Sequence, residues 1–426
     1  MEPSGAALRG RPGALMHESP VLTRLHYRVI VLCFFAWIFD FFDLVLYSFL
    51  LVAIARELHL SATDSSLVLG LSFLMTALGG VGFGLLGDRI GRKPVIVATT
   101  LIYALGTTAC ASAHSLAALV TWRTVAGLGI GGEWAAGQSM IAETVPAQYR
   151  ARYACYVQTG APLGILLAAV AGGFLAPAIG WRAVFVLAAS PALIVAAAVW
   201  RWLPESDVWQ SHGAAALAGW RADLRWLASY RNTLLILFVI LLVNSEAYWF
   251  TYSWLPGYLE MSRRLSSHQS GRLVIGMQVG AVAGYLSFGL FADRFGRRPV
   301  FSAFGAMMAA GLLPATILWE WAAQVPGLIA ASMALAGFGT GIWSGAGTLM
   351  SELFPTRMRN TVMGLLLNVT RGIQFFTPLM ITAMRERIGF AAALAVGSLF
   401  AAIGAVLVWM LPETRGRLIT SLDKSA

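Results

Sequence analysis

Apolar residues run along this chain in twelve stretches, near 28–55, 65–87, 94–113, 117–142, 153–176, 182–203, 233–256, 271–292, 299–319, 326–350, 361–384 and 389–411. None alternates apolar and polar positions with the period of two that a half-buried strand needs. Each is long enough for a helix rising about 1.5 Å per residue to cross a hydrocarbon layer about 30 Å thick. Six runs precede a polar stretch at 204–231 and six follow it. The pattern predicts an all-α membrane protein of 12 transmembrane helices, in bundles at 27–203 and 233–411. Tails at 1–26 and 412–426 and a linker at 204–232 complete the chain.

Composition supports lipid as the solvent. Hydrophobic residues make up 58% of the chain and charged residues 12%, and the mean hydropathy is +0.72. A soluble domain carries about 25% charged residues. In lipid the backbone must satisfy its own hydrogen bonds, so helices or a closed barrel remain, and runs of this length favour helices. Most of the 30 Lys and Arg fall in the N-terminal tail, at 89–93, 150–152, 201–231, 294–298 and 357–359, and after 414. The positive-inside rule then places both termini in the cytoplasm. Topology thus accounts for the net charge of +10, and no nucleic-acid partner is expected. The linker, with Trp209, Trp220, Arg221, Arg225 and Trp226, suits a helix on the membrane surface or a plain solvated connection. Cys33, Cys110 and Cys155 read as free core thiols. Trp122, Trp181, Trp200, Trp202, Trp319, Trp321 and Trp409 lie near run ends and read as interface anchors. No metal-ligand spacing, phosphate-binding loop or nucleophile–base constellation occurs, so no metal, cofactor, enzymatic activity or ATP-driven pump is expected.

The chain repeats itself. Residues 84–94 read GLLGDRIGRKP and residues 289–299 read GLFADRFGRRP, 205 residues apart. Glu143-x-x-Pro146-x-x-x-Arg150 returns as Glu352-x-x-Pro355-x-x-x-Arg359, and Leu203-Pro204-Glu205-Ser206 as Leu411-Pro412-Glu413-Thr414. A membrane chain of two like halves is the mark of a transporter with a central site between them. In the repeated loop, Gly84 and Gly289 would let helices approach closely, and Gly91 and Gly296 would permit tight turns. Asp88 and Asp293 can pair with Arg89, Arg92, Arg294 or Arg297, or with a helix N-terminus.

Six ionisable residues lie inside apolar runs: Asp40, Asp43, Arg123, Glu133, Glu246 and Arg371. Each costs at least about 2.5 kcal/mol at a helix centre, so each should face a cavity or a partner. Asp40 and Asp43 share a helix face, and two carboxylates in a low-dielectric site titrate as a unit. At least one is expected to carry a proton. Arg123 can pair with Asp43 or Asp40. Asn368, Arg371 and Gln374 form a polar stripe in which a guanidinium flanked by amides can clamp a carboxylate; a salt bridge from Arg371 to Glu246 or Asp43 is the other reading. Asn244, Glu246, Trp249 and Tyr252, with Gln158 and Gln278, are candidate cavity walls.

The duplicated G-x-x-x-D-R-x-G-R-[KR] loop resembles the signature of the major facilitator superfamily, and the resemblance spans the whole chain. Three further runs are most similar to the metabolite–proton and sialate or carboxylate–proton symporter groups. They are Phe39-Asp40-Phe41-Phe42-Asp43, Arg123-x-x-x-Gly127-x-Gly129-x-Gly131-Gly132-Glu133, and SELFPTRMR at 351–359 followed by Asn368. The resemblance implies that Arg123 and the Gly-rich face that follows it take part in proton transfer and helix packing, and Glu133 is a further proton-coupling candidate. It also implies that Gly84, Asp88, Arg89, Gly91, Arg92, Glu143 and Arg150, with Gly289, Asp293, Arg294, Gly296, Arg297, Glu352 and Arg359, form cytoplasmic gating latches. The expected function is proton-coupled uptake of a small organic anion, by a monomer in a bacterial inner membrane. Proton-coupled antiport or efflux is the alternative, and a transporter-like sensor a more distant one.

Overall fold

The computed structural model describes residues 22–146, 149, 153, 156–206, 209–210, 230–354 and 356–414; the side chains of 88, 135, 142, 348, 351 and 356–361 are outside that description. Among the described residues there are helices and no strands. The first half comprises α1 (Arg24–Glu57), α2 (Ala62–Ile90), α3 (Arg92–Cys110), α4 (Leu116–Thr144), α5 (Gly160–Val170) and α6 (Trp181–Trp202). A π-helical turn, Ala171–Leu175, and a last turn, Ala176–Ile179, prolong α5. The second half comprises α7 (Arg231–Met261), α8 (Ser267–Phe295), α9 (Arg297–Ala315), α10 (Leu328–Gly339 and Ile342–Leu353), α11 (Thr356–Ile373 and Phe376–Ile388) and α12 (Phe390–Leu407). Among the described residues, nine spans are long and apolar enough to cross a membrane. Most of the expected linker, with Trp220, Arg221, Arg225 and Trp226, lies outside the described residues, as does Cys155.

Local chemistry repeats at the interval seen in the sequence. Ser61 accepts from the Asp64 amide (3.0 Å) while Asp64 accepts from the Ser61 amide (2.9 Å), closing a capping box on α2. Ser266 and Gln269 do the same for α8, 205 residues on. α11 is interrupted because Pro378 has no N–H to give the Gln374 carbonyl. The chain tightens there through Phe375 N–H to Gly372 O (3.2 Å) and Thr377 N–H to Gln374 O (3.1 Å).

α1 and α7 are buried around most of their circumference and stand in the interior. Glycines bring α2 onto α4 and α8 onto α10. A Cβ on Gly131 would strike the Thr76 carbonyl, and one on Gly337 the Met277 carbonyl. Gly84 and Gly289, expected at such contacts, would meet no atom within 4 Å; the close approaches lie elsewhere along the same helices. Trp181 is buried, with its Nε1 donating to Glu57 (2.5 Å), so it is no interface anchor; Trp200, Trp202, Trp321 and Trp409 are exposed.

The halves touch mainly on the face opposite the duplicated loops. Ser66 of α2 donates to the Pro378 carbonyl (3.0 Å) and meets the Thr382 hydroxyl (2.6 Å) of α11. The rings of Phe174 and His268 lie 5.1 Å apart between α5 and α8. Deeper, the rings of Phe73 of α2 and Trp249 of α7 meet at a tilt, with centroids 4.4 Å apart. On the duplicated-loop face, no hydrogen bond or ion pair joins the halves among the described residues.

The α2–α3 turn makes a sharp prediction. Gly91 has φ +104° and ψ 163°, a region open essentially to glycine alone. A Cβ there would also strike the Glu205 carboxylate. Gly91→Ala should cost about 1–3 kcal/mol or more, read as a fall in the thermal midpoint of the detergent-purified protein. An unchanged midpoint would show that the turn can relax.

Candidate functional site

Three charges share one depth. Asp40 stands seventeen residues before the end of α1 at Glu57, Glu133 seventeen after the start of α4 at Leu116, and Arg371 seventeen before the end of α11 at Ile388. At about 1.5 Å per residue this is one layer, roughly 25 Å in from the closed face. Asp40 is fully buried (0% exposed) and neither carboxylate oxygen has a hydrogen-bond partner; Glu133 is also buried, with Oε2 unpartnered. Arg371 is half-buried and makes no hydrogen bond or ion pair among the described residues. Its guanidinium lies over Trp134, 5.6 Å from the ring centroid. Trp134 in turn faces Trp37, one turn before Asp40, at 6.3 Å. The opposite charges acting on Arg371 are those of Asp40 and Glu133. One cation therefore serves two carboxylates and touches neither.

Asp43 has other partners, although it shares a helix face with Asp40. Thr107 of α3 donates to its Oδ1 (2.5 Å), and Arg123 Nη1 lies 3.5 Å from the same oxygen. Arg123 Nη2 reaches the carbonyls of Asp43 (3.4 Å) and Leu44 (3.5 Å), and the guanidinium sits 6.0 Å from the Tyr47 ring. Of the two partners open to Arg123, the structure has Asp43. The anticipated bridge from Arg371 to Glu246 or Asp43 is not formed among the described residues: Asp43 is held by Arg123, and Glu246 Oε2 accepts from Thr377 (2.6 Å).

The other polar positions separate into those that meet and those that do not. Gln374 donates to Ser245, beside Glu246, and keeps a buried, unpartnered Oε1. Gln278 donates to the Tyr252 hydroxyl (3.0 Å), and Gln158 accepts from Gln138 (3.4 Å). Trp249 is part of the contact with Phe73 described above. Two side chains turn elsewhere. Asn244 donates to the Ile240 carbonyl (2.7 Å) and lies against Gly404 of α12; Asn368 donates to Gly364 (2.9 Å) and presses on Gly80 of α2. Each bonds its own preceding turn, as a short amide in a helix readily does.

The three repeated motifs converge in each half. Arg92 binds Glu143 at the end of α4 (Nη2–Oε1 2.9 Å), and Glu205 after α6 accepts from the amides of Arg92 (2.9 Å) and Lys93 (3.2 Å), capping α3. In the second half Arg297 binds Glu352 (2.9 Å) and Asp293 (2.7 Å), and Glu413 accepts from the amides of Arg297 (2.9 Å) and Arg298 (3.1 Å). Every one of these contacts lies within a half. Arg89 and Arg294 are exposed. The side chains of Asp88 and Arg359, and residue Arg150, lie outside the described residues.

This arrangement can be set beside known proteins. The sequence profile of the Major Facilitator Superfamily matches residues 32–284 and 262–424. The chain belongs to the Major Facilitator Superfamily. It is a multi-pass membrane transporter of small molecules, not an enzyme. A putative metabolite transport protein of Haemophilus influenzae is 30% identical over 390 residues, 89% of this chain and 94% of that one. The niacin transporter NiaP of Acinetobacter baylyi is 26% identical, over 95% and 98% of the two chains. Among solved structures, a D-xylose–proton symporter superposes with a TM-score of 0.75 at 18% identity, over 92% of this chain and 99% of that one. It shares the Major Facilitator fold.

Sequence reasoning missed Trp134, Thr107, Tyr47, Phe73, Ser245 and Thr377. Each is apolar, aromatic or a small hydroxyl in an apolar run, where only the partner across the bundle gives it meaning. For the Asp43–Arg123 pair, removing one member leaves a buried charge alone and costs about 3–5 kcal/mol. Arg123→Met or Asp43→Leu should therefore each destabilise this Major Facilitator protein more than the double substitution does, in a thermal-unfolding cycle. Additive losses would mean that the two do not act as a pair.

Proposed function

We propose that this transporter carries a small organic carboxylate inward together with protons. The observation that carries the reading is Arg371, a guanidinium without a direct anionic partner among the described residues, in a layer with two buried carboxylates. Arg presents a planar fork matched to a carboxylate, and Trp134 lies beside it, with its ring centroid 5.6 Å away. A substrate carboxylate that takes Arg371 removes the countercharge that Asp40 and Glu133 share, and one of the two then binds a proton. Anion and proton are loaded together, and their joint transfer is electroneutral. Each further proton would add about 2.3 kcal/mol per 100 mV of membrane potential. The second acidic site, Asp43 with Arg123, is the other candidate for the proton.

Alternating access follows from the halves. The contacts Ser66–Thr382 and Phe73–Trp249 hold them together on one face, read as the outer one from the basic loops opposite. Rocking of the bundles 27–203 and 233–411 would open that face and bring the duplicated loops together. The Arg92–Glu143–Glu205 and Arg297–Glu352–Glu413 assemblies would stiffen the helix ends that move, and the exposed Arg89 and Arg294 are free to reach the opposite half. The niacin relative supports a carboxylate cargo, since niacin is a pyridine carboxylic acid.

Uptake of labelled organic acids into proteoliposomes tests this directly. Imposed acid-outside gradients should drive accumulation of at least one acid. Asp40→Asn should abolish gradient-driven accumulation while leaving exchange of that acid across the membrane. Arg371→Gln should weaken its binding at least about tenfold, about 1.4 kcal/mol. Stimulation by the opposite gradient would establish antiport, and full affinity in Arg371→Gln would remove the clamp.

A further inference from the structure

Among the described residues, Glu246 is the one buried charged residue that the mechanism above does not use. It lies fifteen residues before the end of α7 at Met261, within two residues of the depth of Arg371. It is buried, and no arginine or lysine pairs with it among the described residues. Its two oxygens differ. Oε2 accepts from Thr377, whereas Oε1 makes no hydrogen bond among the described residues and is not among the sealed, unpartnered atoms that include Asp40 Oδ1 and Oδ2. Oε1 therefore keeps accessible surface, at mid-depth on an interior helix. Arg371 keeps accessible surface at the same depth. α7 carrying Glu246 and α11 carrying Arg371 are direct neighbours, joined through Glu246–Thr377 and Ser245–Gln374.

An acceptor and a cation thus open onto the interior from adjacent helices. From this we infer that Glu246 is a specificity-determining residue: it receives a hydrogen-bond donor on the substrate, so the preferred cargo is a carboxylate bearing a second, donating group such as a hydroxyl or a protonated nitrogen. The inference rests on Arg371 as the carboxylate clamp. Its physical basis is asymmetry: a buried acceptor left without a donor is costly, and a site built to bond a hydroxyl rejects the analogue that lacks it. Thr377 already satisfies one oxygen, so discrimination is set by the other and is smaller than at a wholly unpartnered group.

The test is competition binding to the purified full chain with pairs of acids that differ by one hydroxyl: benzoate against 3-hydroxybenzoate, and propionate against lactate. For at least one pair the wild type should prefer the hydroxylated acid by about tenfold or more. Glu246→Gln should reduce that ratio to below about threefold. Thr377→Val, which removes the internal donor and leaves both oxygens of Glu246 to the substrate, should raise it. Opposite shifts from two conservative substitutions separate specificity from a folding defect. Equal binding within both pairs by the wild type, or ratios that neither substitution moves, would overturn the inference while Arg371→Gln still tests the clamp. Should gradient-driven uptake vanish in Glu246→Gln at an unchanged ratio, Glu246 would be a proton carrier and the specificity role would be wrong. A wild type that binds none of the four acids would overturn the clamp and this inference together.

Discussion

Everything in the interior is organised around a shortage of positive charge. Among the described residues, four buried carboxylates, Asp40, Asp43, Glu133 and Glu246, face two buried or half-buried arginines, Arg123 and Arg371. Arg123 is committed to Asp43. Arg371 is left with Asp40 and Glu133 at the same depth and is bound to neither. Such a layer is a poor way to stabilise a fold, because desolvating charges costs more than unpaired attraction returns. It is a good way to make the occupancy of one site depend on the occupancy of another, because any new anion or proton changes the balance of all three groups.

The duplicated architecture holds that layer in place and, in the proposed mechanism, lets it be reached from alternate sides. Each half is built from the same parts: a capping box at the start of one helix, and at its other end a glycine turn with an arginine held by two glutamates. These contacts lie within halves, so they can survive a rocking motion. The contacts that close the opposite face are of another kind, angled ring contacts and hydroxyl bonds. They can be broken without stranding a charge.

Much of this was legible in the sequence, and the reasons are physical. Helices in lipid need long apolar runs, so the all-α class follows from hydropathy, and a repeated loop 205 residues apart betrays the two like halves. The six intramembrane charges stood out because their cost in an apolar run is high. What the sequence could not give was pairing. Asp40 and Asp43 look equivalent at i and i+3, yet one is held by Thr107 and Arg123 and the other is sealed without a partner. Asn244 and Asn368 read as cavity amides but spend their hydrogen bonds on their own helices and pack on glycines. Trp134 carried no signal, since an aromatic in an apolar run is ordinarily core. The three repeated motifs were recognisable singly, but that they meet at one arginine in each half is a matter of tertiary geometry alone.

In the proposed mechanism a substrate carboxylate and the Asp40–Glu133 pair compete for Arg371. Proton uptake on binding measures this competition directly, by titrating the purified protein with a bound acid by calorimetry in buffers of different ionisation enthalpy. The account predicts uptake of about one proton per acid bound in the wild type, and none when Asp40→Asn and Glu133→Gln are combined. Binding without proton uptake in the wild type, or uptake that persists in the double variant, would contradict it.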